Sequence, residues 1–501
     1  MELTQLSELL AQFLKLNSKK IAMKKLLILI APLYMLTACN KDNSGLDINT
    51  KAASTVPSLT LFTYGEKKLM DYYTSTAVGT APFRVLSQEW TENTYVYEAQ
   101  YNFSAYNANA GWWTSLYQGV LANLQAAKAQ YPVDVINPVN LRNDLIITDI
   151  LEIYTYHMLV NTYGNIPYTQ ALNNTIPYPK YDDAKTIYTD LLTRLDTCIA
   201  GLNTAGTSLG TADQIYKGNV TAWKKFAATL KLKMALLLGD VDAATASKKA
   251  LEAVATGVFT ASTDNATMTY DASAPGNSNP IWQALVYSGR HDFLPTNLLV
   301  NTMVGWNDPR VPLYFTKDPN GSYSGGVPGG GNGYGLYSDF SAQMQTTTYP
   351  GIMLSYSQTE FLLAEAVERG IAVGGTAQTH YNNAVTASIV YWGGTAASAT
   401  TYLAQTAVNY ATATGTWQQK IGYQTWIANY NMNWDSWTEI RRLGYPNLNV
   451  VNPPTAAKGS LPLRFTYPSN ESGSNAVNYA AAVAALPGGA DVVSAKLFWM
   501  K

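Results

Sequence analysis

Apolar positions recur at steps of three and four along most of the chain, a periodicity that predicts helices. The segment 110–130 carries Trp113, Leu116, Tyr117, Val120, Leu121 and Leu124 on one stripe, and 143–161 repeats it with Ile146, Ile147, Ile150, Leu151, Tyr154 and Met158. The same pattern predicts helices over 183–200, 222–238, 243–254, 355–368, 377–391 and 418–443. Successive helices joined by short turns imply a stack of antiparallel helix pairs, with a spacing compatible with tetratricopeptide-like units.

Three stretches interrupt this pattern. Residues 86–109 are rich in Glu, Asn and Tyr, and 260–289 is polar with Pro275-Gly276 and Asn279-Pro280 as turn signals. Residues 321–335 hold eight Gly in fifteen positions, which excludes a regular element. Long loops on a helical scaffold are where binding sites concentrate. No break in composition marks a second domain, so 51–501 reads as one mainly α domain with a large irregular, loop-rich half.

The beginning of the chain points to a compartment. Met23-Lys24-Lys25 opens a short basic region, and residues 26–36 form an apolar run of eleven. A membrane span needs about 20 such residues, whereas a signal-peptide core needs 7–15. The run ends in Leu36-Thr37-Ala38-Cys39, which resembles a bacterial lipobox, cut before Cys39 and acylated there. Residues 23–38 are therefore read as a lipoprotein signal peptide, 1–22 as an extension upstream of a natural start at Met23, and 39–50 as a flexible tether. Loss of residues 1–38 shifts the net charge from −1 to −4. No further run of eighteen apolar residues exists, so a lipid anchor rather than a span is expected. Cys198 is then unable to form an intramolecular disulfide. It lies among Leu191, Leu192 and Leu195 and reads as a small buried hydrophobe.

Composition sharpens the picture. Only 13% of residues are charged, about half the usual ~25%. The polar surface must come from Asn, Gln, Ser, Thr and the 35 Tyr. With 33 Lys+Arg against 34 Asp+Glu, the chain lacks the basic footprint that phosphate neutralisation demands, which argues against nucleic acid as a partner.

Several apparent motifs carry no chemistry. Gly206-Thr207-Ser208-Leu209-Gly210 matches a nucleophile elbow by letter but lacks the preceding strand. The 325–335 tract lacks the Gly-Lys-Ser/Thr ending of a phosphate loop. His157, His291 and His380 have no paired ligand spacing, and His157 reads as a satisfied core histidine. Asp264 and Asp271 sit in a polar loop without EF-hand spacing, so no cofactor is expected and a structural calcium lacks support. Glu89, Glu92 and Glu98 could in principle serve a glycosidase, but nothing singles out a pair.

Two clusters do carry a signal. Arg84, Trp90, Asn93 and Tyr95, followed by Tyr97 and Tyr101, form the first; Trp282, Tyr287 and Arg290 form the second. Sugars present an apolar C–H face to aromatic rings and hydroxyls to amides and Arg, and such pockets need an apolar platform with a few convergent polar groups. Trp112, Trp113 and Trp223 ride helical stripes and read as core. For Trp90 and Trp282, platform and core both stand at this point.

The order of these segments resembles the SusD/RagB family of nutrient-binding outer-membrane lipoproteins of the Bacteroidetes, in its SusD-like branch. The likeness rests on Trp113-Thr-Ser-Leu-Tyr117-Gln-Gly119, on the turn Tyr163-Gly164-Asn-Ile-Pro167-Tyr168, on Trp223-Lys-Lys-Phe226, and on the Ala364-Glu365-Ala366 helix. The most specific parts are Trp437-Thr-Glu-Ile-Arg441-Arg442-Leu-Gly444-Tyr445-Pro446, Leu463-Arg464-Phe465-Thr-Tyr467-Pro468 and the closing Leu497-Phe-Trp499. Where the family has a consecutive acidic pair after its late Gly-Gly, this chain keeps only Asp491. The resemblance implies a tetratricopeptide-repeat scaffold with an irregular ligand-binding half, lipid-anchored through Cys39 over a SusC-like TonB-dependent transporter and facing the cell exterior. It implies capture of oligosaccharide without catalysis, on an arc of aromatics that places the ligand at Arg84, Trp90, Asn93, Tyr95, Trp282 and Tyr287. The same architecture binding peptides is the alternative, and a glycoside hydrolase a more distant one.

Overall fold

A computed structural model describes residues 56–103, 105–449 and 461–501, together with residues 5, 7–12 and 15–18, which are helical. The signal segment 23–38, Cys39 and the tether 39–50 lie outside the described residues. Residues 57–501 form one unit and residues 1–56 another. No helix among the described residues is long and apolar enough to cross a membrane.

Helices pair in chain order, as the periodicity requires. Helix α1 (Ser58–Thr74) lies across a helical run composed of α2 (Ala108–Thr114), a π-helical turn (Ser115–Leu121) and α3 (Ala122–Asp134). Then α4 (Pro138–Tyr163) packs on α5 (Ala184–Gly201), and α6 (Val220–Leu237) on α7 (Ala243–Thr256). The mid-chain insertion carries α8 (Asn297–Gly305), after which α9 (Tyr356–Glu368) packs on α10 (Ala377–Tyr391) and α11 (Trp417–Ala428) on α12 (Asn433–Leu443). Local chemistry sets the starts. Asn137, Asp183, Asn219, Asp242, Ser355 and Thr376 each accept a hydrogen bond from the first turn of the helix that follows, which satisfies otherwise orphaned N–H groups.

Two differences from the sequence reading have physical causes. The single helix predicted over 418–443 is broken at 429–432, where hydrogen bonds to distant segments hold the chain. Asn431 donates to the Pro350 carbonyl (3.0 Å), Asn433 to that of Ser75 (3.0 Å), and the Tyr430 carbonyl accepts from Arg84 (2.6 Å). Helix α1 escapes the periodicity because Gly65 and the buried Glu66 interrupt its apolar stripe. Gly65 is needed there, since a Cβ would lie 2.9 Å from Leu124 Cδ2 of α3.

Regular strands are few. β1 (Trp90–Glu92) pairs antiparallel with β3 (Phe293–Pro295), Trp90 opposite Pro295 and Glu92 opposite Phe293. β2 (Ala266–Met268) pairs with β4 (Gly351–Leu354). The largest apolar core fills the helical half, and a second core centred on Trp90, Phe340, Trp392 and Tyr430 fills the irregular half.

Buried charge pairs clamp these parts. Lys233 of α6 donates to Asp435 of α12, which also accepts from the Tyr73 hydroxyl (2.7 Å). Arg442 bridges Glu365 and Glu439, and Arg369 reaches the same Glu365 oxygen (2.7 Å). The lone carboxylate Asp491 accepts from Arg464 (2.5 Å) and from the Tyr467 backbone (3.1 Å). Asp491 thus ties the carboxyl-terminal segment to itself and orients Arg464, which donates to the Tyr163 carbonyl of the scaffold (2.9 Å). The family hallmark Arg441 donates to the carbonyls of Asn161 (3.0 Å) and Leu463 (2.7 Å) and stacks on Trp437, also a structural task.

Candidate functional site

Three segments far apart in sequence converge in the irregular half. The β1–β3 pair brings the stretch 90–97 against 287–295, and the glycine-rich loop 325–335 closes over both. Asn332 is the hub of that closure. Its Nδ2 donates to the carbonyls of Glu92 (3.2 Å), Val327 (3.1 Å) and Gly330 (3.1 Å), while its Oδ1 accepts from the Val327 N–H (2.9 Å). Gln100 adds a bond to the Gly329 carbonyl (2.8 Å), and Gly329 N–H donates to Thr91 Oγ1 (3.1 Å). Gly329 stands at φ +69° with the Ala99 carbonyl 3.1 Å from where a Cβ would be, so a side chain would break this approach.

Together these segments shape a cleft of about 120 Å³. Asn93, Arg290, His291, Phe293, Tyr334 and Tyr337 supply most of its character. The His291 and Tyr334 rings stack at 4.3 Å between centroids. Asn93 Nδ2 donates to the His291 carbonyl (2.6 Å) and so fixes that pair. Arg290 is oriented by Asp292 (2.5 Å) and its guanidinium lies 5.8 Å from the Tyr95 ring, a cation–π distance. Tyr95, 57% exposed, is held out to solvent by a left-handed backbone at φ 59°. A second stack, Trp282 on Tyr287 at 5.4 Å, sits on the same helical turn as Leu285, which lines the cleft. Apolar faces beside an amide, a guanidinium and the carboxylate of Asp339 suit a neutral polyhydroxylated ligand.

The candidate residues divide. Asn93 lines the cleft, Tyr95 lies beside its Arg290, and Trp282 and Tyr287 sit on the helical stretch that carries the lining residue Leu285. Arg84 and Trp90 belong to the core instead, and their assignment to the ligand site is corrected. Trp90 is 1% exposed, with its ring 4.1 Å from that of Phe340. Arg84 is buried above it at 4.9 Å and donates to the Tyr430 carbonyl. All three residues of β1 are buried, so Trp90 lies in a strand with no solvent-facing side. His291, Tyr334 and Tyr337 were missed. The available signal was aromatic residues embedded in a glycine-rich tract that has no core of its own to fill.

The three glutamates of this segment are buried and none lines the cleft. Burial raises Glu89 and Glu92 to about 8 each and Glu98 to about 7. Glu89 accepts from Ser436 (2.6 Å) and Glu92 from the Ala99 N–H (3.0 Å), whereas both Glu98 oxygens lack a partner. A raised carboxyl binds its proton in the folded state while the unfolded chain, near 4.5, has released it. Stability from this source is complete below pH 4.5 and declines as pH rises to about 7 for Glu98, by at most about 1.4 kcal/mol per pH unit. Glu98→Gln is therefore expected to flatten the fall in urea midpoint between pH 5 and pH 7 relative to the parent protein. Parallel pH profiles for the two proteins would refute the assignment.

Other sequence readings meet their outcome here. Cys198 is buried, its thiol pushed up by burial and the nearby Asp149. His157 is buried and kept neutral by desolvation, with Nδ1 2.9 Å from the Asn161 amide. Ser208 of the apparent nucleophile elbow donates to Asp144 (2.9 Å) in an inter-helix loop. Asp264 is occupied by Lys225 (2.9 Å) and Asp271 by Ser273. Among the described residues no group of three His, Cys, Asp or Glu is placed to hold a metal ion.

Comparison with known proteins agrees with this architecture. A SusD-like family model, described as starch-binding and associating with the outer membrane, matches residues 49–468. No curated protein matches the chain. Among solved structures, a chitin-binding protein is 26% identical, with a TM-score of 0.77 over 88% of this chain and 99% of its own. A SusD homolog from Bacteroides uniformis is 24% identical, with a TM-score of 0.77 over 89% and 100%. A chitin-binding SusD homolog from Flavobacterium johnsoniae is 23% identical, with a TM-score of 0.75 over 87% and 98%.

Proposed function

Because the chain belongs to the SusD-like family, we propose that it is a non-catalytic surface lipoprotein that captures oligosaccharide and passes it to a TonB-dependent outer-membrane transporter. The observation that carries the binding half of this reading is the cleft itself: exposed Tyr334 stacked on His291, with the oriented Arg290 and, beside that, exposed Tyr95. Rings left in solvent at a concave site are the platform on which a sugar C–H face packs. The anchoring half is supported by the lipobox ending in Cys39 and by the family's association with the outer membrane. Chitin-type oligosaccharides take first place as ligand because the 26% identical relative is a chitin-binding protein.

The test is calorimetric titration of the protein with chito-oligosaccharides, malto-oligosaccharides and oligopeptides. Saturable heat with a glycan and no product formed is the expected result. Tyr95→Ala and Tyr334→Ala should each weaken binding about tenfold, equivalent to ~1.4 kcal/mol, with helicity unchanged. A response to peptides alone would move the protein to peptide capture, and glycan affinity unchanged in both variants would remove the platform.

A further inference from the structure

A second groove, of about 610 Å³, opens where α1 meets the start of the following helical run. Tyr64 and Tyr72 project into it from α1, Tyr106 and Asn107 from the entry to α2, and Thr114 and Gln118 from α2 and the π-helical turn. Tyr64 and Tyr106 are exposed, while Tyr72 is half-buried with one side against the main core. Tyr64, Lys68 and Tyr72 follow one another at i, i+4 and i+8 on the outward face of α1, with the Lys68 ammonium 5.4 and 5.9 Å from the two rings.

The backbone is shaped to keep the groove open. A Cβ at Gly119 would fall 2.7 Å from Tyr72 Cε2 and from its hydroxyl, so glycine alone lets that ring lie along the π-helical turn. A Cβ at Gly111 would fall 1.9 Å from the Gly79 carbonyl, so the neighbouring wall also depends on a missing side chain. Helical π turns are rare and recur at functional sites. Asn107 enters α2 in a left-handed conformation (φ 54°) without capping it. The side chains of Asn107, Thr114 and Gln118 are exposed on the groove wall.

The groove is joined to the cleft by a path of exposed rings. Tyr106 meets Tyr97 edge-on at 6.2 Å, the Tyr97 N–H donates to the Tyr95 carbonyl (2.8 Å), and Tyr95 lies under Arg290 at the cleft wall. Tyr64, Tyr95, Tyr97 and Tyr106 are all exposed. Resting on the glycan-capture reading, we propose that this groove is a second sugar subsite and that the protein's ligand is a long chain lying across both. Neutral amides and hydroxyls between rings are the chemistry of a polysaccharide backbone, and a single lysine is too little charge to select an anion.

The experiment is a chain-length series of chito-oligosaccharides, from disaccharide to octasaccharide, titrated into the parent protein and into Tyr64→Ala and Tyr106→Ala. Both substitutions remove exposed rings, so folding is retained, and circular dichroism checks it. Affinity should keep rising with length in the parent. Each variant should lose about tenfold for the octasaccharide and nothing for the disaccharide, while Tyr95→Ala weakens both. An octasaccharide bound no better than a trisaccharide, or variants that match the parent at every length, would overturn the second subsite and leave the first intact. Silence at every length would overturn chitin capture, and this inference with it.

Discussion

Lys233→Met is expected to destabilise the protein by about 3–5 kcal/mol, the loss that follows when one partner of a buried ion pair is removed and the other charge is stranded. Lys233 and Asp435 are both buried, and they join α6 to α12 through the centre of the helical half. Asp435 would keep the Tyr73 hydroxyl (2.7 Å) but lose its only cation among the described residues. The lysine also lies 5.8 Å from the Tyr154 ring and 5.5 Å from that of Trp434, contacts that methionine replaces in volume but not in charge. Neutralising both partners tests the cause. In Lys233→Met/Asp435→Asn most of the lost stability should return, because no unpaired charge remains. Urea unfolding of the parent, both single variants and the double variant measures this. A double variant as unstable as the worse single one would show that packing, not charge, sets the penalty.

The second large effect falls on Trp90. Trp90→Ala should cost about 3–5 kcal/mol of stability, as large-to-small changes in a packed aromatic core do. Its ring touches Phe340 at 4.1 Å and Phe293 at 5.8 Å, with Arg84 above it. Trp90→Phe should retain most of the stability and bind glycan as the parent does. A ligand platform would behave oppositely, with the melting temperature kept and affinity lost in both variants.

The contrast between Trp90 and Tyr95 shows where sequence reasoning loses its grip. The paired helices were legible because a repeating apolar stripe of residues such as Ile147, Leu151 and Tyr154 must face something, and its neighbour in sequence is the nearest surface. In 86–109 no such period operates. Trp90 and Tyr95 lie five residues apart in equally polar surroundings, yet one is core and the other solvent-exposed. What separates them is a strand partner some two hundred residues away and a left-handed turn at Tyr95. Among the described residues of the segment 88–107, Gln88, Tyr95, Tyr101 and Asn107 stand at positive φ without being glycine. Such conformations are held by surrounding structure and leave no mark in composition. Asn93 was found for its amide, but its role emerged only with His291 beside it, and the half of the cleft supplied by Tyr334 depends on how Asn332 folds a tract that has no pattern at all.

That loop has a consequence for how the site can change. Asn332 anchors 325–335 through main-chain carbonyls and one N–H, groups that every residue type but proline provides, and no side chain of 333–337 takes part in these bonds. In the proposed site, Tyr334 and Tyr337 are thus mounted on a frame indifferent to their identity. Selection can rewrite Tyr334 and Tyr337 to follow a new nutrient while the frame, and the helical stack beneath it, stays as it is. Diversity of diet would be recorded in a handful of loop positions, and descent in the buried ones.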